Sequence, residues 1–336
     1  MGAKPKLITG IKAKLIAWWH GYDPPAILGL QEYRSRFLLW WNGFSGKPER
    51  QPASGDSVHA RTAILPRRKQ QEINSRGIVS QALWGVGNLT PGPAGFITDL
   101  TARLGLTSEM SMLDLGAGLG GPSRAISEAY GIWVTAYEAV AEYVKAGMEQ
   151  SVMHGMAKKV PIAQFDSETI TLPKRKYDCV FSKEIMHHVE VKERLITEIE
   201  SALKIGGQFF IMNYVITGKG ENSPLVTAWS EADGKQNHFW TKEQYSEAFK
   251  AANLDLRVSE DLTERYCEII AEGFRGLRKN MDDLLATETD ATKQAELRRA
   301  LAFESKRWAV RAEALQGGAI AVVRFSGTTS SQTGIR

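Results

Sequence analysis

The stretch LDLGAGLGGPSRAI, residues 113–126, governs the reading of the whole chain. An apolar run closes on Asp114 and Leu115, four glycines follow, and Pro122 opens a helix at the position proline favours. Gly116 and Gly118 permit a tight turn and let bare backbone approach a ligand, while Gly120 and Gly121 allow the helix start to pack closely. Such a loop stands at the carboxyl end of a strand, where its exposed amides are expected to face a bound group. Read literally, Gly116, Gly118 and Gly121 satisfy GxGxxG, which a nicotinamide dinucleotide also uses. Glu138 ends the next apolar run 22 residues after Gly116, where a carboxylate can take the ribose hydroxyls of NAD or of S-adenosylmethionine.

Outward from this loop, short β-rich runs alternate with helical ones, the pattern of a parallel sheet covered by helices. Strands are expected at 111–115, 132–138, 160–165, 177–182, 207–215, 255–261 and 318–325, with helices near 122–130, 139–154, 190–204 and 241–253. Residues 263–316 break the rhythm with more than fifty residues of helical periodicity, which predicts a two-helix insertion before the last strand. Its Leu297, Leu301, Phe303 and Trp308 should pack, and Glu296, Arg298, Arg299 and Glu304 should be wet. Residues 42–70 are rich in Gly, Pro, Ser and basic residues and read as a linker or ordered loop.

Three further landmarks follow the glycine loop in order: AYE ending at Glu138, QFDSE with Asp166 and Ser167, and YDCVFSKEIMHHV running on to LKIGGQFFIMNYV. With LDLGAGLG they make residues 80–262 resemble the class I S-adenosylmethionine-dependent methyltransferases. The resemblance implies a Rossmann-like, seven-stranded, mostly parallel sheet with helices on both faces. It implies that Asp114 and the backbone of Gly116, Gly118 and Gly120 hold the methionine portion of S-adenosyl-L-methionine, Glu138 the ribose and Asp166 the adenine amino group, with Ser167 beside it. Ser182 and Lys183 would pass near the sulfonium end. A narrower likeness, to the branch acting on small amines, sterols and tocopherols, rests on Glu184 and His188 in SKEIMHHV and on ALWGVGNLTPG, residues 82–92. It implies that Trp84, Asn88, Glu184 and His187 meet the acceptor. The implied division is a basic, aromatic-rich extension and linker at 1–80, a methyltransferase domain at 81–326 and a flexible tail at 327–336.

Methyl transfer from a sulfonium is an in-line displacement, so the protein chiefly aligns the reactants and excludes water. An amine or hydroxyl acceptor must lose a proton, and His188 is the expected base because histidine ordinarily titrates near neutral pH. Tyr214, at the end of the fifth strand, could donate to the acceptor or simply pack. The adjacent His187 and His188 are expected on different sides of a helix and lack a CxxC or HExxH companion, so no metal site is expected. No GxSxG elbow supports a serine hydrolase, and no Asn/Asp-Pro-Pro-Tyr motif supports methylation of a flipped base. Three readings stand: methylation of a small-molecule or lipid-like acceptor, an S-adenosylmethionine-binding regulator without turnover, and an NAD-binding oxidoreductase.

The chain has 336 residues, 43% hydrophobic and 24% charged, which excludes disorder and collagen-like fibre. Cys179 and Cys267 are its two cysteines, too few for a disulfide framework, and a reducing cytoplasm is expected. Lys12 and Lys14 interrupt the first apolar stretch, so no export signal is expected. Net charge is only +4, yet residues 1–80 hold 13 Lys and Arg against 5 Asp and Glu, and the rest hold 29 against 33. That asymmetry fits either an anionic partner or a solvated basic face. In residues 5–41, Ile8, Ile11, Leu15 and Trp18 share one helical face flanked by Lys6 and Lys14, with Trp19, Trp40 and Trp41 nearby. The composition suits a helix lying peripherally on the inner face of an anionic membrane, and equally a lid packed on the sheet domain. Liposome co-sedimentation separates the two: the membrane reading requires binding to anionic vesicles that weakens with salt and is lost on deletion of residues 1–41. A protein that stays in the supernatant at low salt leaves the lid.

Overall fold

The computed structural model describes residues 67–234 and 236–330; the expected membrane or lid segment at 5–41 and most of the 1–80 extension lie outside the described residues. Two helices, α1 (Arg67–Trp84) and α2 (Ala94–Thr101), precede the sheet. The chain then runs β1 (Ser111–Leu115), α3 (Gly121–Tyr130), β2 (Trp133–Glu138), α4 (Ala141–Met153), β3 (Ile162–Gln164) and β4 (Tyr177–Lys183). A 3-10 turn at Met186–His188 leads to α5 (Lys192–Ala202), β5 (Leu203–Ile216), α6 (Pro224–Asp233), α7 (Lys242–Ala251) and β6 (Leu254–Asp261). Helices α8 (Thr263–Thr287) and α9 (Ala291–Gln316) form the expected insertion, and β7 (Ile320–Thr329) closes the fold.

The seven strands lie in the order β3-β2-β1-β4-β5-β7-β6, with β7 antiparallel to both neighbours and the other pairings parallel. Both faces are buried, so alternate residues of one strand enter opposite cores. On β5, Phe210, Met212 and Tyr214 join the core under α1, α8 and α9, whereas Phe209, Ile211 and Val215 join the core under α5 and α7. Strand order reverses between β1 and β4, and the crevice at their carboxyl ends is where an open α/β sheet takes a ligand.

Four differences from the sequence reading have identifiable causes. Helix α1 crosses the expected boundary at residue 80 and begins inside the expected linker. Its opening residues RRKQQE are good helix formers but carry no apolar stripe to mark it as part of the fold, and its second half is held by packing. Val79 and Leu83 are buried, and Trp84 meets Trp308 of α9 at 4.8 Å between ring centroids. Helix α6 was not expected, although Pro224 at its first position and the Ser223 hydroxyl, accepting from Leu225 N at 3.3 Å, supply an ordinary start. Strand β7 continues through Thr329, so residues 327–329 of the expected tail belong to the sheet, where Gly327 crosses so close to β6 that a Cβ would sit 1.9 Å from Asp255 O. Within the insertion, Leu297 and Trp308 are buried as expected, but Phe303 is exposed under the Arg76 guanidinium and Glu304 is buried.

Among the described residues no helix is long and apolar enough to cross a membrane. Because Trp308 joins α1, α9 and the sheet core, Trp308→Ala is expected to lower unfolding free energy by about 3–5 kcal/mol in chemical denaturation. A loss under about 1 kcal/mol would mean that the insertion is only loosely docked.

Candidate functional site

A cavity of about 530 Å³ opens at the carboxyl ends of β1, β2 and β4. Its cradle side is the glycine loop. Gly116 and Gly118 have φ of +87° and +57°, and a Cβ on Gly116 would lie 1.8 Å from Ile185 Cγ2. The amides of Gly116 and Ala117 both donate to Tyr137 O at 2.9 Å, so they fix the turn rather than face the cavity, which corrects the expectation of exposed donors. Gly120 lies off the cavity wall: its Cβ position is occupied by Ile162 and Arg124, and Gly121 N donates to Gly87 O at 2.9 Å. Residues 87–90 therefore lie over the loop, which places Asn88 on the cavity wall.

Two carboxylates mark this side. Glu138 accepts from Gly118 N and Val140 N, each at 2.9 Å, which ties the loop to the start of α4. Asp114 is buried and accepts from the Ser123 hydroxyl. Burial pushes its carboxyl up to about 7; the Ser123 hydrogen bond opposes this, the Glu138 charge adds to it and Lys183 pulls it down. Ser167 and Phe165 line the cavity beyond Glu138. Asp166, expected on the adenine, is instead exposed and spent on its own turn, accepting from Glu168 N at 2.9 Å and Thr169 Oγ1 at 3.1 Å.

Across the cavity, β4 delivers Lys183, Glu184 and, through the 3-10 turn, His188. Glu184 has a positive φ of 60°, uncommon outside glycine, and its carboxylate is fully enclosed. It accepts from Lys183, from Tyr266 of α8 and from Tyr214 at 2.6 Å. Burial alone would raise Glu184, but the Lys183 charge and these donors outweigh it and hold the carboxyl below its usual value. Burial holds Lys183 below the ordinary lysine value although Glu184 and Asp114 favour its charge; its ammonium also donates to Thr90 Oγ1 at 2.6 Å. Burial and the Glu184 charge push Tyr214 and Tyr266 well up, so both phenols remain donors.

Four expected site residues stand behind the wall instead of on it. Ser182 donates to Leu115 O at 3.1 Å, and Trp84 packs between Phe274 and Trp308. Tyr214 is buried and reaches the cavity only through Glu184. His187 is enclosed by Tyr214 and Phe239, with Nδ1 3.0 Å from Asn213 Oδ1. The His187 and His188 rings lie 3.8 Å apart rather than on different sides of a helix, and the segment that carries them is a three-residue 3-10 turn.

The remaining wall, from α1, α6 and α9, was not legible as a site. Asp233 accepts from Arg307 Nε at 2.8 Å and from Arg311 Nη2 at 2.8 and 3.0 Å, while Glu304 accepts from Arg76 Nε at 2.7 Å and Arg307 Nη1 at 3.1 Å. Asp233 and Glu304 are held below the usual carboxylate range because the arginine charges outweigh burial. Arg307 is raised by the same two partners against its own burial.

Residues 93–258, just under half of the chain, match a family described as a methyltransferase domain. Phosphoethanolamine N-methyltransferase 1 of Zea mays is 25% identical over 206 residues, 61% of this chain and 40% of that protein. Sterol 24-C-methyltransferase of Yarrowia lipolytica is 26% identical over 175 residues, 51% and 46% of the two chains. The chain thus spans less than half the length of these curated relatives. In fold it is similar to Haemonchus contortus phosphoethanolamine N-methyltransferase 2, solved with phosphomonomethylethanolamine and S-adenosylhomocysteine, at a TM-score of 0.66, 21% identity and coverage of 80% of this chain and 61% of that one.

The raised Asp114 carboxyl has a stability consequence. Between its unfolded value near 4 and about 7 the folded state binds the extra proton, so the Asp114 contribution to stability falls as pH rises through that window and is level above it. Unfolding free energies of wild type and Asp114→Asn should therefore differ by an amount that shifts against wild type from pH 4 to 7. A constant difference would mean that Asp114 titrates normally.

Proposed function

We propose, on the premise that residues 93–258 are a class I methyltransferase domain, that the chain transfers the methyl group of S-adenosylmethionine to a small-molecule or lipid-like acceptor. The observation that carries this reading is a single cavity with two buried carboxylates on the glycine-loop side and Lys183, Glu184 and His188 on the other. The residues fit the cofactor. The cavity volume of about 530 Å³ falls in the usual range for small-ligand sites. Asp114, ionised, would face the cofactor ammonium, and its raised protonation makes binding release a proton near neutral pH. Glu138 accepts two amides and lines the cavity, where a carboxylate can also take a ribose diol. Phe165 and Val140 offer an apolar wall for a flat base, with Ser167 at its edge.

Bound S-adenosylmethionine supplies an activated methyl: the acceptor's lone pair bonds to the methyl carbon as the carbon–sulfur bond breaks and its electrons remain on sulfur, leaving S-adenosylhomocysteine. His188 takes the proton that an amine or hydroxyl acceptor must lose; it lines the cavity, and its backbone amide is anchored to Ile185 O at 2.9 Å. Lys183 and Glu184 form a charge-neutral pair that positions the floor without repelling either reactant. Tyr214 and Tyr266 act through Glu184 by fixing its carboxylate. We place the reaction in a reducing cytoplasm, a reading supported by Cys179 and Cys267 both being free thiols.

In calorimetry, Gly118→Val, at φ +57° and 3.0 Å from Leu89, and Glu138→Ala should each weaken S-adenosylmethionine binding at least about tenfold, with NAD giving no heat in parallel. His188→Ala should slow turnover by roughly 10²-fold or more while leaving cofactor affinity within about twofold. Unchanged affinity in both loop variants, or binding of NAD instead, overturns the cofactor assignment. Unchanged turnover removes His188 from the chemistry.

A further inference from the structure

The wall contributed by α1, α6 and α9 carries more positive charge than its own carboxylates neutralise. Lys69, Arg76 and Arg307 line the cavity there with Asp233 and Glu304, and Arg311 backs Asp233 from the core. These charges form a chain, Arg76 to Glu304 to Arg307 to Asp233 to Arg311, in which each carboxylate bridges two guanidinium groups. Four cations face two anions, whereas the Lys183 and Glu184 pair across the cavity is neutral. The surplus sits on oriented donors. Arg76 is pinned by its Nε to Glu304 and lies 4.1 Å over the Phe303 ring, so its two terminal nitrogens are aimed but make no hydrogen bond among the described residues. Arg307 spends Nε and Nη1 on carboxylates and leaves Nη2 likewise without a partner.

We propose that this wall is a subsite for an anionic oxygen group of the methyl acceptor, a phosphate or a carboxylate, held by the Arg76 fork and Arg307 with Lys69 at the rim. The proposal rests on the methyltransferase reading of the same cavity. A planar guanidinium already fixed at Nε loses little freedom on gripping two oxygens, and low dielectric strengthens the contact. Helices α1 and α9, which carry both arginines, lie outside residues 93–258, whereas the glycine-loop cradle lies inside them. The anion is accordingly placed on the acceptor, and titration beside S-adenosylhomocysteine separates it from the cofactor's own carboxylate.

The test titrates inorganic phosphate, and in a second arm acetate, into the full chain by calorimetry at constant ionic strength, with and without saturating S-adenosylhomocysteine. Arg76→Gln is the informative variant because Glu304 keeps Arg307 as its partner. Saturable binding of either probe with S-adenosylhomocysteine present, weakened about tenfold or more in Arg76→Gln at unchanged S-adenosylhomocysteine affinity, is the expected result, and the preferred probe identifies the group. Arg76→Lys, which keeps the charge and loses the fork, should recover only part of the affinity. Absence of saturable binding, equal binding in Arg76→Gln, or loss of S-adenosylhomocysteine affinity in that variant overturns the proposal; the last would give the arginine to the cofactor. Failure of S-adenosylhomocysteine to bind wild type overturns the methyltransferase reading instead, and the probe titrations without it still report on the subsite.

Discussion

On three of the four glycines between Asp114 and Pro122, one added carbon would meet a neighbour closer than real carbons come: Ile185 at Gly116, Ile162 at Gly120 and the Gly87 carbonyl at Gly121. The turn is clamped from three directions, by the segment after β4, by β3 and by the stretch after α1. Each of those neighbours is in turn placed by the clamp. Ile185 carries Glu184 and His188 into position, residues 87–90 bring Asn88 and Thr90, and the loop draws Glu138 onto its own amide. The cavity is what remains between parts that share one steric constraint.

Charge inside the molecule follows an equally strict rule. Burying an unpaired carboxylate costs several kcal/mol, and those around the cavity have donors. Glu138 uses backbone amides, Glu184 uses a lysine and two phenols, and Asp233 uses two arginines, Trp229 Nε1 at 3.0 Å and Asn237 Nδ2 at 3.0 Å. Asp114 has only a hydroxyl to answer burial, and it is the carboxyl that stays near neutrality. The groups able to change protonation are thereby separated from those that merely hold shape.

Much of the sheet was readable because buried parallel strands are continuous apolar runs and their connecting helices end at glycines, as at Gly131. The cradle was readable for a related reason: Gly116, Gly118 and Glu138 are close in sequence and their spacing is fixed by one β-α-β unit. Asp166 and Ser182 misled because a turn-capping aspartate and a strand-end serine look the same whether they meet a ligand or their own backbone. Glu304 was expected on a wet helix face, since periodicity registers a charged stripe but not the opposite charge, here Arg307 and Arg76, that buries it. Tyr266 gave no signal because its partner, Glu184, is 82 residues away.

The Arg76 to Glu304 contact spans 228 residues, the two sides of the cavity wall being supplied from before the first strand and after the sixth. The cradle, by contrast, is complete once the chain has passed about residue 190. Loop closure makes such distant contacts late to form in folding. Hydrogen exchange would accordingly find α1 and α9 opening together, ahead of β1 and β4. It also means that the wall and the glycine turn are written in different parts of the chain: a change along α9 would reshape the wall and leave the glycine turn as it is.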